Sequence, residues 1–255
     1  MVKRFSVSLS CIPLSFDYNY SIAPLEQYSS ILPSVSKMLQ FLLPLLYITG
    51  TLSATIHHPS HSNCQSSLTS CPDNTIIVSP SNPLANYTTI QAAINSLPND
   101  STPQTILVLA GTYNEQLNIT RAAPITLLGQ TSHPNDPTRN RVTITWAAAN
   151  HDNTGQSVDN VFSSVLVVSP TLNASLTGSG PTGFAVPEDT PFGNEDFRVY
   201  NVDFRNLWSE YSDGPAHALS FSRANGGFYA CGFYSYQDTV CPFHSTTTIP
   251  IYYPT

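Results

Sequence analysis

Apolar residues beyond Thr75 occur in short β-branched and aromatic runs that are separated by Gly, Pro, Asn and Asp. Such runs predict β-strands. The predicted strands are Thr75 to Val78, Thr105 to Leu109, Ile125 to Leu128, Val142 to Thr145, Val165 to Val168, Phe197 to Phe204, Ala218 to Phe221 and Gly227 to Phe233. Several successive starts lie about 20 residues apart, which is typical of solenoid coils and too long for a sandwich. The pattern favours an all-β parallel β-helix, with a secreted β-sandwich as the alternative.

One segment, Tyr87 to Leu97, has a helical rather than an alternating pattern. Its apolar residues are spaced by three and four, Thr88 or Thr89 is available as an N-cap, and Pro98 follows as a stop. The first coil of a solenoid exposes apolar surface and strand edges unless something covers it. We expect this short helix to cap the coil stack.

The stretch from Ala147 to Asp196 is rich in Gly, Pro and polar residues. It predicts long loops on one side of the solenoid. Loops in such a position often form the wall of a binding site.

A sustained apolar run extends from Met38 to Gly50 and is followed by small residues up to Ala54. It is too short for a transmembrane helix and fits the apolar region of a secretory signal. Because the run begins at a methionine, we interpret 38–54 as a signal peptide and 1–37 as a non-native or unusual extension. A buried core helix or a membrane anchor is the alternative. We therefore expect a secreted, extracellular protein without membrane contact after signal removal.

Glycosylation sequons and cysteines agree with secretion. The sequons lie at Asn86, Asn99, Asn118 and Asn173. Of five cysteines, Cys64 and Cys71 are candidates for a disulfide that closes a short loop, as an oxidising compartment permits. Because no C-x-x-C spacing occurs, we expect no zinc site.

Charge narrows the range of partners. Only 10% of the 255 residues are charged, and 9 Lys and Arg face 16 Asp and Glu, for a formal net charge of -7. So few charges argue against coiled coils and salt-bridged helix bundles. The acidic balance argues against nucleic acid as a partner, since polyanion binding needs clustered basic residues.

The residues best suited to chemistry lie in Gly227 to Val240, which reads GFYACGFYSYQDTV. A carboxylate beside a carboxamide at a strand end suits acyl chemistry. Asp238 can protonate a leaving alkoxide, and the amide of Gln237 can donate to an oxyanion. The simpler interpretation is a turn in which Asp238 makes a local hydrogen bond.

The chain from about Asn74 to Val240 resembles the pectin methylesterase (pectinesterase) family, of the fungal and microbial type. Five segments match in order: YTTIQAAINSLP at 87–98, GTYNEQLNI at 111–119, ITLLGQ at 125–130, YNVDFRN at 200–206 and ANGGFYACGFYSYQDTV at 224–240. The resemblance implies a right-handed parallel β-helix that removes methyl groups from esterified galacturonate in pectin. It implies no cofactor, no metal and a monomer.

The resemblance also implies roles for single residues. In the family one Asp attacks the ester, a second Asp is the general acid and base, glutamines stabilise the oxyanion and an Arg positions the nucleophile. By motif, Asp238 matches the general acid and base, and Gln237 matches an oxyanion donor. Tyr234 and Tyr236 are candidates to pack beside the sugar, although tyrosines at such a spacing are as often ordinary core or surface residues.

Two departures from the family pattern stand out. The glutamine of its Q-A-V-A-L segment falls on Pro215, which has no donor, so His217 is a candidate substitute oxyanion donor. The alternative for His217 is a surface histidine without a role. Furthermore, two motifs of the family do not occur in the sequence. They are D-F-[IL]-[FY]-G, which supplies the nucleophile, and L-G-R-P-W, which supplies the Arg. We expect this polypeptide to be inactive as written and C-terminally truncated.

The expected organisation is an extension at 1–37, a signal at 38–54, a mature N-terminal segment at 55–73, a partial β-helix at 74–240 and an unrelated tail at 241–255. Two rival functions remain. A non-catalytic solenoid that binds cell-wall polysaccharide would tolerate the missing nucleophile. A pectate or pectin lyase would need a calcium site and a basic proton abstractor, and the sequence offers neither in an evident form.

Overall fold

The chain winds into stacked coils, and each complete coil contributes one strand to each of three parallel sheets. The computed structural model describes residues 61–151, 158–176, 189–208, 214–243 and 251–252. All of them belong to one of two units of the chain, and the other unit, Leu14–Pro59, lies outside the described residues. The predicted extension 1–37 and the predicted signal 38–54 are outside them as well. Within the described ranges, no helix is long and apolar enough to cross a membrane.

Fourteen strands and three short α-helices make up the described structure. The strands are β1 Ile76–Val78, β2 Gln104–Val108, β3 Gly111–Asn114, β4 Leu117–Ile119, β5 Ile125–Gly129, β6 Val142–Trp146, β7 Leu166–Val168, β8 Phe197–Tyr200, β9 Val202–Asn206, β10 Leu219–Ser222, β11 Gly226–Tyr229, β12 Gly232–Tyr234, β13 Val240–Phe243 and β14 Ile251–Tyr252. The α-helices are α1 His61–Ser66, α2 Ile90–Asn95 and α3 Leu172–Ser175, and 3₁₀ turns lie at Leu68–Ser70, Pro137–Arg139 and Asn160–Ser163.

Sheet A has the order β1-β2-β5-β8-β11-β14, sheet B the order β3-β6-β9-β12 and sheet C the order β4-β7-β10-β13. Every pairing is parallel. Successive strands along the chain lie in different sheets, and each strand pairs with its equivalent one coil away. This topology is a parallel β-helix, so the predicted fold is confirmed and the β-sandwich alternative is excluded.

The predicted coil length, however, is wrong. Strands β5, β6 and β7 belong to one coil, so the starts predicted at 142 and 165 are strands of that coil rather than new repeats. Strands β3 and β4 are not predicted, because they are short and alternate buried with exposed residues. The long loops also leave from two corners: β7 divides 147–196 into one segment between sheets B and C and another between sheets C and A.

Residues of the predicted unrelated tail, 241–255, take part in two of the strands. β13 pairs in parallel with β10, and β14 pairs in parallel with β11. The coil pattern therefore continues into this segment within the described residues.

The interior is a single apolar column that changes in character along the stack. Aliphatic residues such as Ile106, Leu117 and Leu127 fill the early coils, and each is at most 1% exposed. In the later coils Phe228 makes edge-to-face contacts with four other phenylalanines. These are Phe197, Phe204, Phe221 and Phe233, with ring centroids 5.0 to 6.4 Å away. Edge-to-face packing of this kind stabilises a core beyond the area that it buries.

The outer face of sheet A is covered near its start by the segment that carries α1. Cys64 and Cys71 form a disulfide there, and Cys64 packs with Leu107 and Leu128. From α1, Gln65 Nε2 donates to Gly129 O at 2.8 Å and to Asn201 Oδ1 at 3.0 Å. The segment thus seals apolar side chains that point outward from sheet A.

Helix α2 closes the amino end of the stack, as the sequence predicts. Thr89 Oγ1 accepts from Ala92 N, so Thr89 is the N-cap. The carboxylate of Glu115, which follows β3, accepts from Ile90 N and from Gln91 N, both at 2.9 Å. A carboxylate that binds the first amides of a helix satisfies unpaired donors and complements the helix dipole. Glu115 therefore ties the capping helix to the first complete coil.

Replacing Glu115 by Ala should lower the free energy of unfolding by about 2 kcal/mol, because two amide donors lose a charged acceptor. For a domain of this size, this corresponds to a fall of about 4 to 8 °C in the midpoint of thermal unfolding followed by circular dichroism. Glu115→Gln keeps one acceptor oxygen and should lose less.

The matched control is Glu195→Ala, since Glu195 is exposed and its side chain makes no hydrogen bond with another described residue. It should shift the midpoint by little. Equal shifts in the Glu115 and Glu195 variants would contradict the role of Glu115.

Candidate active site

The candidate site lies where the chain passes from sheet B to sheet C in successive coils. We call the described parts of these connections the B–C corner, and they comprise 115–116, 147–151, 158–165, 207–208, 214–218 and 235–239. The Gln-Asp-Thr sequence occupies the last of them, between β12 and β13. Parallel stacking therefore places it directly above the residues that precede β10.

Asp238 adopts a left-handed backbone conformation, with φ at 53°. Asp tolerates this conformation better than most residues with a side chain, and the conformation interrupts the alternation of a strand. Ser235 Oγ donates to Gln237 O at 3.0 Å and lies 3.0 Å from Thr239 Oγ1. The chain bends at Tyr236 and Gln237, but the Asp238 side chain makes no local hydrogen bond among the described residues, so the bend leaves this carboxyl available at the corner.

Asp238 is half-buried, and desolvation raises the pKa of its carboxyl above the ordinary value of 3.8. A raised pKa favours the protonated form that a general acid needs. The carboxamide of the neighbouring Gln237 is also half-buried and has no hydrogen-bond partner among the described residues. The corner thus combines a carboxyl of raised pKa with an amide donor that has no partner among the described residues.

Backbone hydrogen bonds align this turn with the coil below. Ala216 N donates to Gln237 O at 3.2 Å, and Ala218 N donates to Thr239 O at 2.9 Å. His217, which lies between the two donors, is therefore opposite Asp238. Pro215, at the position where the family has glutamine, precedes this pair.

The His217 side chain is fully buried, with 0% exposure. Both ring nitrogens lack a hydrogen-bond partner among the described residues. Burial lowers the pKa of His217 to about 4, partly offset by attraction to Asp159. In this arrangement the ring does not reach the surface, so an ester at the corner does not meet it directly.

Asn206, which is not among the predicted site residues, hydrogen-bonds the backbone on several sides of the corner. Its Nδ2 donates to the carbonyls of Ala148 at 2.8 Å, Ser163 at 2.7 Å and His217 at 3.0 Å. Its Oδ1 accepts from Ala148 N and Trp208 N. One carboxamide therefore links successive passages through the corner. The sequence signal that could have identified Asn206 is its position just after a predicted strand, since asparagine is favoured in the turns of solenoids.

Aromatic and apolar side chains are exposed along the same corner. Tyr236 is 58% exposed, Leu207 53% and Phe162 45%. Tyr234, at the end of β12, is 43% exposed, and the Arg205 guanidinium lies 4.0 Å from its ring centroid. The structure thus brings Tyr234, Tyr236, Gln237 and Asp238 to one corner.

The remaining predicted site residues are glycosylation positions away from this corner. Asn86, Asn99 and Asn118 are exposed, and Asn173 lies in α3. Among the described residues, no group of three or more His, Cys, Asp or Glu side chains is arranged to hold a metal ion.

Several curated proteins are similar to this chain. Pectinesterase A of Emericella nidulans is 32% identical over 155 residues, which cover 60% of this chain and 38% of that protein. Probable pectinesterase A of Aspergillus niger is 30% identical over 199 residues, which cover 76% of this chain and 51% of that protein. The chain thus spans about half the length of these relatives or less. No protein-family model matches it.

Solved structures show the same fold. The crystal structure of a pectin methylesterase from Aspergillus niger superposes with a TM-score of 0.50 at 27% identity, covering 71% of this chain and 51% of that one. A pectin methylesterase in complex with a hexasaccharide gives a TM-score of 0.51 at 24% identity and covers 70% of this chain and 50% of that one. On the sequence likeness and the shared β-helix, the chain belongs to the pectinesterase family, whose members are carboxylic ester hydrolases.

Proposed function

We propose that this protein is a secreted pectin methylesterase-like protein that acts on methyl-esterified homogalacturonan. The observation that supports this most is the pairing of a half-buried carboxyl of raised pKa with a free carboxamide at the B–C corner. This pairing occurs on a fold and sequence background similar to pectinesterases. The reaction class is hydrolysis of a methyl ester of galacturonate, which yields methanol and a free carboxylate.

The proposed roles follow from the chemistry of each group. Asp238, whose pKa is raised by burial, gives its proton to the departing methoxide and later takes a proton from water. Gln237 donates an amide N–H to the oxyanion that forms on the carbonyl oxygen. Pectin is the proposed partner, since a pectin methylesterase of this fold is known in complex with a hexasaccharide.

The exposed apolar side chains give the corner a means of binding a sugar chain. Tyr236, Phe162 and Leu207 lie on connections of successive coils, which stack about 4.8 Å apart. Aromatic faces bury the apolar faces of sugar rings without needing charge. Methylated galacturonate is uncharged, so the acidic chain does not repel it.

We further propose that this polypeptide binds its substrate but turns it over slowly or not at all. The nucleophile and Arg motifs of the family do not occur in the sequence. Without an attacking carboxylate, an acid and an oxyanion donor leave only residual catalysis. The alternative function, a non-catalytic solenoid that binds cell-wall polysaccharide, is favoured by the same exposed aromatic residues.

Replacing Tyr236 by Ala should weaken binding of highly methylated homogalacturonan by about 5- to 20-fold, because an exposed ring at the site is lost. Isothermal titration calorimetry with the full chain measures this. The matched control is Phe192→Ala, since Phe192 is exposed at 38% but lies on the connection from sheet C to sheet A. Equal weakening in both variants would argue against a binding site at the B–C corner.

The same preparation should release methanol from methylated pectin at less than about one-thousandth of the rate of an intact pectinesterase. A coupled assay for methanol checks this. Binding with this low turnover supports the proposal. A rate similar to that of an intact pectinesterase, lost in Asp238→Asn, would show a complete site and refute the proposed inactivity.

The carboxyl of Asp238 should titrate above the ordinary pKa of 3.8, because burial disfavours its charged form. The folded state then holds this proton more tightly than the unfolded chain does. The stabilising contribution of Asp238 is present at low pH and is lost as the pH rises through the raised pKa. Carbon-13 NMR of labelled full chain, with Asp238→Asn for assignment, measures the titration, and a midpoint at or below 3.8 would contradict the burial.

We further propose an extension at 1–37, a signal at 38–54, a mature N-terminal segment at 55–73 and a β-helix that begins at 74, with glycans on Asn86, Asn99, Asn118 and Asn173. The separate tail predicted at 241–255 is not kept, because β13 and β14 continue the coils into it. Mass spectrometry of protein secreted from a eukaryotic host should find a mature N-terminus close to residue 55 and hexosamine on sequon peptides. A mature N-terminus upstream of Met38 would refute the signal assignment.

A further inference from the structure

Ser164, His217 and Asp238 occupy equivalent positions in three successive coils. Val165 N donates to His217 O and Leu166 N donates to Ala218 O, so Ser164 lies opposite His217 in the parallel ladder. The backbone bonds of Ala216 and Ala218 place Asp238 opposite His217 on the other side. Neighbouring strands lie about 4.8 Å apart, so the three residues form a column at the entrance to sheet C.

The two lower members of this column have unused hydrogen-bonding atoms. Ser164 Oγ and both ring nitrogens of His217 are buried without a hydrogen-bond partner among the described residues. A buried polar atom without a partner destabilises the folded state, and in a native protein such a group calls for an explanation. Solvent does not supply the partner, because Ser164 and His217 are both 0% exposed.

The chemistry of the three groups is complementary. A neutral imidazole has one N–H donor and one acceptor nitrogen, a serine hydroxyl has one donor, and an ionised carboxylate accepts only. Ser164 Oγ–H can donate to the acceptor nitrogen of His217, and the His217 N–H can donate to Asp238. The column then pairs every donor, and the bond from the His217 N–H is stronger once Asp238 has lost its proton, because its acceptor is then charged.

We propose that His217 is a positioning residue for Asp238, whose ring N–H donates to the Asp238 carboxylate once that carboxyl is ionised, with Ser164 Oγ–H donating to the other ring nitrogen. In this step the Oδ–H bond of Asp238 breaks, the proton leaves to the group that it protonates or to solvent, and the carboxylate keeps the electron pair. The bond is stronger to the carboxylate than to the protonated carboxyl, which favours departure of the proton.

The charges around His217 are compatible with this role. Asp159, the N-cap of the 3₁₀ turn Asn160–Ser163, attracts the ring, and Asp238 lies opposite His217 in the register of the next coil. Burial outweighs the attraction and lowers the pKa of His217 to about 4, so the ring is neutral at pH 5 and above. A neutral ring donates to the carboxylate without adding a positive charge that would deprotonate Asp238 at rest.

The inference rests on the proposed function only in naming Asp238 as the acid and base, and its test does not need turnover. Carbon-13 and nitrogen-15 NMR of the labelled full chain follow Asp238 and the His217 ring between pH 3 and pH 8. The expected result is that the His217 ring signals move together with the ionisation of Asp238. In Asp238→Asn, that step in the His217 signals should be absent.

The variants separate a donor from a merely structural side chain. His217→Phe keeps a buried ring without a donor and should make Asp238 about a tenfold weaker acid. His217→Gln restores an amide donor and should return the pKa of Asp238 towards that of the wild type. Thermal midpoints are measured alongside, since a structural role would shift them in both variants without this difference in the pKa of Asp238.

Ser164→Ala provides a second test in case the His217 variants do not fold. It should change the nitrogen-15 shift of one His217 ring nitrogen and leave Asp238 titrating as a single group. The proposal would be overturned if Asp238 titrated identically in the wild type and in His217→Phe. It would also be overturned if the His217 signals did not change when Asp238 ionises. Coupled titration in a chain that does not bind methylated homogalacturonan would leave it intact while the proposed function failed.

Discussion

Parallel stacking of coils is the constraint on which the rest of the structure depends. Each strand is held by the equivalent strand one coil away, so a residue takes its place from the residue beneath it rather than from its neighbours in sequence. The column of phenylalanines around Phe228 and the column of Ser164, His217 and Asp238 follow from the same pairing. The register of the parallel strands therefore determines the positions of both the core residues and the candidate site residues.

Corners are the weak points of such a stack, because backbone amides and carbonyls leave the sheet ladders there and need other partners. Side chains with both donors and acceptors supply them. Asn206 serves the B–C corner, while Gln65, Asn140 and Asn201 are hydrogen-bonded in series near the corner between sheets A and B. Glu115 does the same for the amides of α2. Polar residues in this fold are thus as necessary to its architecture as the apolar column.

The sequence predicts much of this fold, because β-branched runs, the helical period of α2 and its Thr89 cap are local signals. It fails where position depends on distant residues. The coil length is misjudged because β5, β6 and β7 share one coil, which no local spacing records. The motif residues Gln237 and Asp238 are found from sequence, whereas Asn206 and Ser164 gain their importance only from the coils above and below. His217 is found for its chemistry, but its burial depends on packing from several coils.

The candidate site illustrates how one geometric irregularity serves both stability and chemistry. A residue in regular β-conformation at position 238 would point either into the core or out to solvent. The left-handed conformation of Asp238 takes its carboxyl out of that alternation, and partial burial at the corner raises its pKa. The same burial that makes the proton hard to lose also keeps His217 neutral beneath it. An acid that must both hold and release a proton needs surroundings that disfavour its charged form. It also needs a neutral donor that can bind the carboxylate once the proton has left. Stacked coils provide the surroundings and the donor in adjacent layers.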